Sequence, residues 1–294
     1  MNENRTALMC AFARAYHSEN AEPPIFNDYL AKRLLGDEEY GMIAGSLTDG
    51  ISFFKPDFKG DRQSALDAAA GVIAPPVLAR SAFAERSLET ACLIGTSVYA
   101  AIGSGYDTFA YRSLHRPEGL KVIELDFVDV IEDKLRRLER AGIDTPENTY
   151  YIPAEQKMTC RTAVRLIAKG FNSRVKSFCS ILGATQYMTV KEFSNILGII
   201  GRLQSPGSSL VFDYHRSKDE KLVSLAGGAG ENMQSIYTYL EIERLLSRFG
   251  YLIYEHLNAA EATEQYFSDY NNANPSRPMK APESSAYCLA VKKL

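Results

Sequence analysis

The stretch that decides the fold is 97-SVYAAIGSGYDTFAYR-112, followed after a short interval by 121-KVIELD-126. Val98 to Ile102 is a run of small and apolar residues entering a glycine turn, as expected of a strand packed on both faces, and Gly103-Ser104-Gly105 supplies backbone freedom that side chains forbid. A helical segment and a second strand ending in acidic residues follow. Asp126 lies about twenty residues beyond the glycines, the interval at which a second-strand carboxylate meets ribose hydroxyls in doubly wound folds. The third glycine of a dinucleotide fingerprint would fall at Thr108, so the turn leans away from a pyrophosphate clamp. Gly-Tyr-Asp-Thr at 105–108 better suits a ligand with no phosphate to cradle.

These runs carry a resemblance. AIGSGYDTFAYR and VIELDFVDVIEDK resemble the glycine loop and acidic second strand of the leucine carboxyl methyltransferase family, and most closely its bacterial branch of polyketide and small-molecule O-methyltransferases, where the wording is close to LGAGxDTxAxR and E-x-D-x-P-x-V. The likeness runs from RTALMCAFARAYHS to SAYCLAVKK. It implies an S-adenosylmethionine-dependent enzyme with a Rossmann-like, doubly wound α/β fold: a seven-stranded, mostly parallel sheet that ends with an antiparallel strand.

Outward from this centre, the 294 residues allow one large domain that buries about three quarters of its unfolded surface. Charged residues make up 23% and the formal net charge is -3, so no basic field recruits nucleic acid or an anionic membrane. Five scattered cysteines, with no Cys-x-x-Cys and no histidine at ligand spacing, suggest reduced thiols and no metal site. The N-terminus lacks the apolar core of a signal peptide, and no stretch reads as long enough for a membrane span. A soluble cytoplasmic protein is expected. Its oligomeric state is open, a homodimer included.

Residues 5–17 have helical spacing, as do 25–36, opened by Pro23-Pro24 and closed by Gly36; within the latter, Asn27-Asp28 stand where the family has an acidic pair. Residues 40–76 read as mixed, with glycine turns at Gly41, Gly45, Gly50 and Gly60 and an alanine-rich helix near 66–72. A further helix spans 77–95. Residues 1–90 are thus expected to form a helical cap integrated with the core, and 91–294 the cofactor-binding domain with an insertion near 215–235, where Gly227 to Gly230 make a hinge candidate. After the helix at 128–141, strands are expected at 150–156, 177–182, 209–214, 251–257 and 286–292, with helices at 189–203 and 237–249.

By resemblance, Gly103, Gly105 and Asp126 hold the cofactor, Arg80 pairs with the carboxylate of its methionine moiety, and Glu155 accepts from its adenine amino group. A guanidinium fork suits a carboxylate. The chain departs from the family in two places: Ala82 replaces a second arginine, and Ile181-Leu182 replace Trp-Glu ahead of Gly183. For the acceptor side, Tyr187, Tyr214 and His215 are expected just beyond strand ends, and His215 has a pKa suited to proton transfer. A carboxylate acceptor is already ionised near neutral pH, whereas a phenol or alcohol needs a base. The leading expectation is methyl transfer to a carboxyl or phenolic oxygen of a small molecule. Two alternatives stay open: a non-catalytic cofactor-binding protein, motivated by Ala82 and Leu182, and a nicotinamide-dependent oxidoreductase, which Thr108 and the lack of a Tyr-x-x-x-Lys set oppose.

Overall fold

Strand β1 (Val98–Ile102) is buried at every residue, which is why its sequence shows no alternation. The computed structural model describes residues 5–112, 117–154, 158–218 and 232–293. β1 pairs in parallel with β2 (Lys121–Phe127) on one side and with β4 (Ser177–Ile181) on the other. β3 (Thr149–Ala154) extends the sheet beyond β2, and β5 (Ser209–His215) beyond β4. β7 (Ser285–Lys292) inserts antiparallel between β5 and β6 (Tyr251–Leu257), giving the seven-stranded order β3-β2-β1-β4-β5-β7-β6. The order reverses between β1 and β4, so the crevice beyond their carboxyl ends is where an open sheet of this kind takes a ligand.

Two apolar clusters cover the two faces of the sheet. On one face lie α1 (Arg5–Asn20), α2 (Ala31–Leu35), α3 (Asp37–Asp49), α4 (Ile51–Phe54), α5 (Arg62–Leu93) and α10 (Ala259–Ala273), and their cluster also takes in Leu138 of α6 (Val128–Arg140). On the other face are α7 (Cys160–Ala168), α8 (Val190–Leu203) and α9 (Tyr239–Arg248). The N-terminal helices therefore share one core with the sheet.

Several elements differ from the sequence reading. The helices expected near 66–72 and 77–95 are one 32-residue helix that runs through Pro75 and Pro76. The prolines remove two helical N–H donors, but Ile73, Ala74, Pro75, Val77, Leu78 and Ala79 are all buried, and packing outweighs the local break. α5 is also long and apolar enough to cross a membrane by length and composition, contrary to the reading that no stretch is. Half of that window is buried, and α5 packs on α1, α3, β4, β5 and β7, as a core helix does. Gly41 and Gly45 lie inside α3, not in turns. Residues 25–30 are irregular, leaving only the short α2 from the helix expected there. Where a helical segment is expected after the glycines, the described residues hold only a short 3-10 turn, Phe109–Tyr111. Helices α7 and α10 were not expected at all. The hinge candidate Gly227 to Gly230 lies outside the described residues.

Candidate functional site

A cavity of about 1230 Å³ opens at the carboxyl ends of β1, β2 and β4. Its floor is the glycine turn. Gly103 (φ +71°) and Gly105 (φ +48°) both take the left-handed conformation that side chains avoid. The Gly103 and Ser104 amides donate to the Leu125 carbonyl at 2.8 and 3.2 Å, pinning the turn to β2. Asp126 then closes it: one carboxylate oxygen accepts from the Gly105 amide at 2.6 Å, the other from the Phe127 amide at 2.8 Å. Burial pushes the Asp126 carboxyl up, and the two amides oppose it. Each oxygen keeps a lone pair for a further donor, since a carboxylate offers about four acceptor sites.

Arg80 forms the facing wall. Its Nη2 donates to Cys10 Sγ at 3.0 Å, and its Nη1 lies 3.9 Å from an Asp213 carboxylate oxygen. The other Asp213 oxygen accepts from the Gly183 amide at 2.6 Å. The guanidinium lies over Gly183 (φ +64°) so closely that a Cβ there would come within 2.6 Å of Arg80 Cζ. Burial works against the charge of Arg80, but Cys10 and Asp213 offset it and raise its pKa above the ordinary value. The guanidinium stays charged, and it lines the cavity.

Leu125, Phe127, Ala154, Met158 and Ile196 add an apolar slot to the cavity wall, with Leu182 where the resemblance places a glutamate. One face of α1 (Thr6, Ala7, Cys10 and Arg14) roofs the cavity, and Tyr187 and Met188 lie on the β4 side. The cavity exceeds the 300–1,000 Å³ usual for a single small-molecule site, so a cofactor and an acceptor both fit.

Of the residues singled out from the sequence, Arg80, Gly103, Gly105, Asp126 and Tyr187 meet at this one cavity. Glu155 lies outside the described residues. Tyr214 and His215 are corrected: neither lines the cavity. β5 runs one residue further than expected and pairs His215 with Ser285 of β7, so the imidazole is buried in the sheet instead of standing in a crevice loop. Tyr214 points into the opposite core and shares a 2.8 Å hydrogen bond with His256. Two residues that matter were missed. Asp213 showed only as one acid in the apolar run SLVFDYH, and Arg14 only as a cation on an otherwise apolar helix.

Thr108 explains the broken dinucleotide fingerprint. Its hydroxyl donates to Asp28 at 2.5 Å and accepts from Arg112 Nε at 3.0 Å, in a position that is 1% exposed. Glycine there would leave both groups short of a partner.

The set fits S-adenosylmethionine. A guanidinium can meet the amino-acid carboxylate, a second-strand acid the ribose, bare glycine backbone allows close approach, and the slot suits a purine.

The family model for leucine carboxyl methyltransferase matches residues 7–201. The Bacillus subtilis protein YktD, whose name assigns it as an S-adenosyl-L-methionine-dependent methyltransferase, is 33% identical over 98% of this chain and 97% of its own. A Mycolicibacterium gilvum protein of the same designation is 28% identical over 71% of this chain and 66% of that one. Among solved structures, a duf574 family protein from Streptomyces avermitilis superposes with a TM-score of 0.56 at 13% identity, over 84% of this chain and 97% of that one, which supports the fold alone. With the glycine turn, Asp126 and Arg80 gathered at one cavity on this sheet, the chain belongs to the leucine carboxyl methyltransferase family.

Proposed function

We propose that this protein is an S-adenosylmethionine-dependent methyltransferase that methylates an oxygen of a small molecule, with a carboxylate as the preferred acceptor. The observation that carries the reading is the Arg80 guanidinium, fixed over Gly183 by Asp213 and facing the glycine turn across a cavity large enough for two ligands. Bound there, the cofactor supplies a methyl group activated on a sulfonium. Arg80 holds its carboxylate, Asp126 accepts from its ribose, and Gly103 and Gly105 let it lie against the backbone. Glu155 keeps the adenine-binding role that the resemblance implies.

Tyr187 is the orienting group for the acceptor, and α1 shuts out water from above. A carboxylic acid arrives already ionised near neutral pH and needs no base, whereas a phenol must lose a proton, and on that ground the acid is the preferred acceptor. Acceptor and methyl group then need only alignment at about 3 to 3.5 Å. A polyketide-like carboxylic acid fits this description. The five cysteines are all free thiols, in keeping with a reducing, cytoplasmic setting.

Calorimetric titration with S-adenosylhomocysteine, with NAD as control, followed by mass-spectrometric methyl transfer onto paired carboxylic acids and phenols, tests the reading. Saturable binding of the first ligand alone and mass gain on the acids are expected. Arg80→Gln should weaken binding by about 2 kcal/mol, the worth of a charge-assisted hydrogen bond. Binding without transfer to any acceptor would favour a non-catalytic cofactor-binding protein, the reading that Leu182 in the place of a glutamate supports.

A further inference from the structure

The cofactor half of the cavity depends on a turn with two left-handed glycines, and such a turn does not hold its own shape. Asp126 restrains it from the sheet side. A second restraint comes from the cap. Arg14 Nη2 donates to the Tyr106 carbonyl, one residue beyond Gly105, at 2.7 Å. Arg14 can do so because Asp28 accepts from its Nε at 2.8 Å, and the other Asp28 oxygen takes the Thr108 hydroxyl and, at 3.1 Å, the Ala31 amide. Thr108 in turn receives Arg112, whose guanidinium forms a two-nitrogen fork on Glu85 of α5.

Asp28, Thr108 and Arg112 are each 1% exposed, and of Arg14, Asp28, Glu85, Thr108 and Arg112 only Arg14 lines the cavity. Asp28 stays ionised: burial opposes its charge, but Arg14, Arg112 and Thr108 hold its pKa below the ordinary value. Two guanidinium groups, the Asp28 carboxylate and the carboxyl of Glu85, whose pKa burial raises to about 7, thus link α1, the 25–30 segment and α5 to one turn. Well-packed apolar side chains of similar volume give comparable or better stability than buried ion pairs, so such a chain is better explained by the one conformation it enforces.

We infer that Asp28 is a positioning residue for cofactor binding: through Arg14 and Thr108 it sets the glycine turn and seats α1 over the cavity, so that cofactor affinity depends on a carboxylate that touches no ligand. This rests on the cofactor reading above.

The test is S-adenosylhomocysteine affinity by calorimetry, at a temperature where scanning calorimetry shows each variant folded. Wild type is compared with Asp28→Asn, Arg14→Gln and their double variant, and with the isosteric Thr108→Val, Thr108→Ser and the surface control Arg62→Gln. Asp28→Asn and Arg14→Gln should each weaken binding roughly tenfold or more, and the double variant no further, because both break one chain. Thr108→Val should weaken it similarly while Thr108→Ser, which keeps the hydroxyl, and Arg62→Gln stay within about twofold of wild type. Should Asp28→Asn not fold, the Thr108 pair decides by the same criterion. Lower melting temperatures with unchanged affinity would overturn the inference and leave the network a purely structural one. A wild type that fails to bind would remove the cofactor reading, and the inference with it.

Discussion

Gly183 shows how tightly one residue can bind backbone geometry to site chemistry. Its φ of +64° and its contact with Arg80 both exclude a side chain. Gly183→Ala should cost about 1–2 kcal/mol in backbone strain and also displace Arg80, so that S-adenosylhomocysteine affinity falls along with the melting temperature. Calorimetry on one sample reads both. His17 is a second case. It is 3% exposed, its Nε2 accepts from the Ile25 amide at 2.8 Å, and burial lowers its pKa to about 4. The unfolded chain takes up the proton near 6.5 and the folded one resists it, so the stabilisation is fully present above about 6.5 and lost as pH falls towards 4. Up to about 3 kcal/mol is at stake. The change in unfolding free energy between pH 7 and pH 5 should differ between wild type and His17→Gln by the His17 contribution, since the lowered pKa of His256 and the raised pKa of Glu85 are common to both.

At the scale of elements, legibility followed how much of each segment's reason lay in the segment. β1, the glycine turn and β2 were readable because a strand buried on both faces must be continuously apolar and a left-handed turn must be glycine. α10 was not. Of AAEATEQYFSDYNNA only Ala259, Ala262, Phe267 and Tyr270 are buried, a thin stripe among polar residues. What it does carry is a strong start signal: the Asn258 side chain accepts from the Ala260 and Glu261 amides at 2.8 and 3.1 Å, while Glu261 accepts from the Asn258 amide. Asn258→Ala should therefore lower stability by about 1 kcal/mol. Cofactor affinity should not move, since neither residue lines the cavity and their capping bonds reach no residue that does. Urea unfolding alongside ligand titration separates the two. For α5 the reverse holds: its local signals at Pro75-Pro76 argue for a break, and burial on both sides of the prolines carries the helix through.

Over the whole molecule, one sheet with a shared core makes ligand binding a stability term for the entire chain. With ligand at a hundred times its dissociation constant, mass action adds about 2.7 kcal/mol. S-adenosylhomocysteine should raise the melting temperature by several degrees and NAD should leave it unchanged. The separation between sequence and structure is sharpest for charge. Asp126 and the glycines belong to one strand-turn-strand unit, and Arg80 lies in a family motif just before it. Arg14, Asp28, Glu85, Thr108 and Arg112 are spread over nearly a hundred positions, and nothing local in any of them marks a partner.

By itself, then, the sequence determined what short-range physics dictates: the buried strands, the turn that only glycine can make, the acid delivered at the end of β2, and through the family wording the cofactor class. Tertiary structure alone decided which charges meet. It withdrew His215 into the sheet by extending β5 one residue, brought Asp213 beneath Arg80, and ran α5 through two prolines. Each of these outcomes is a long-range packing or pairing energy, and such energies exist only once distant segments are in contact.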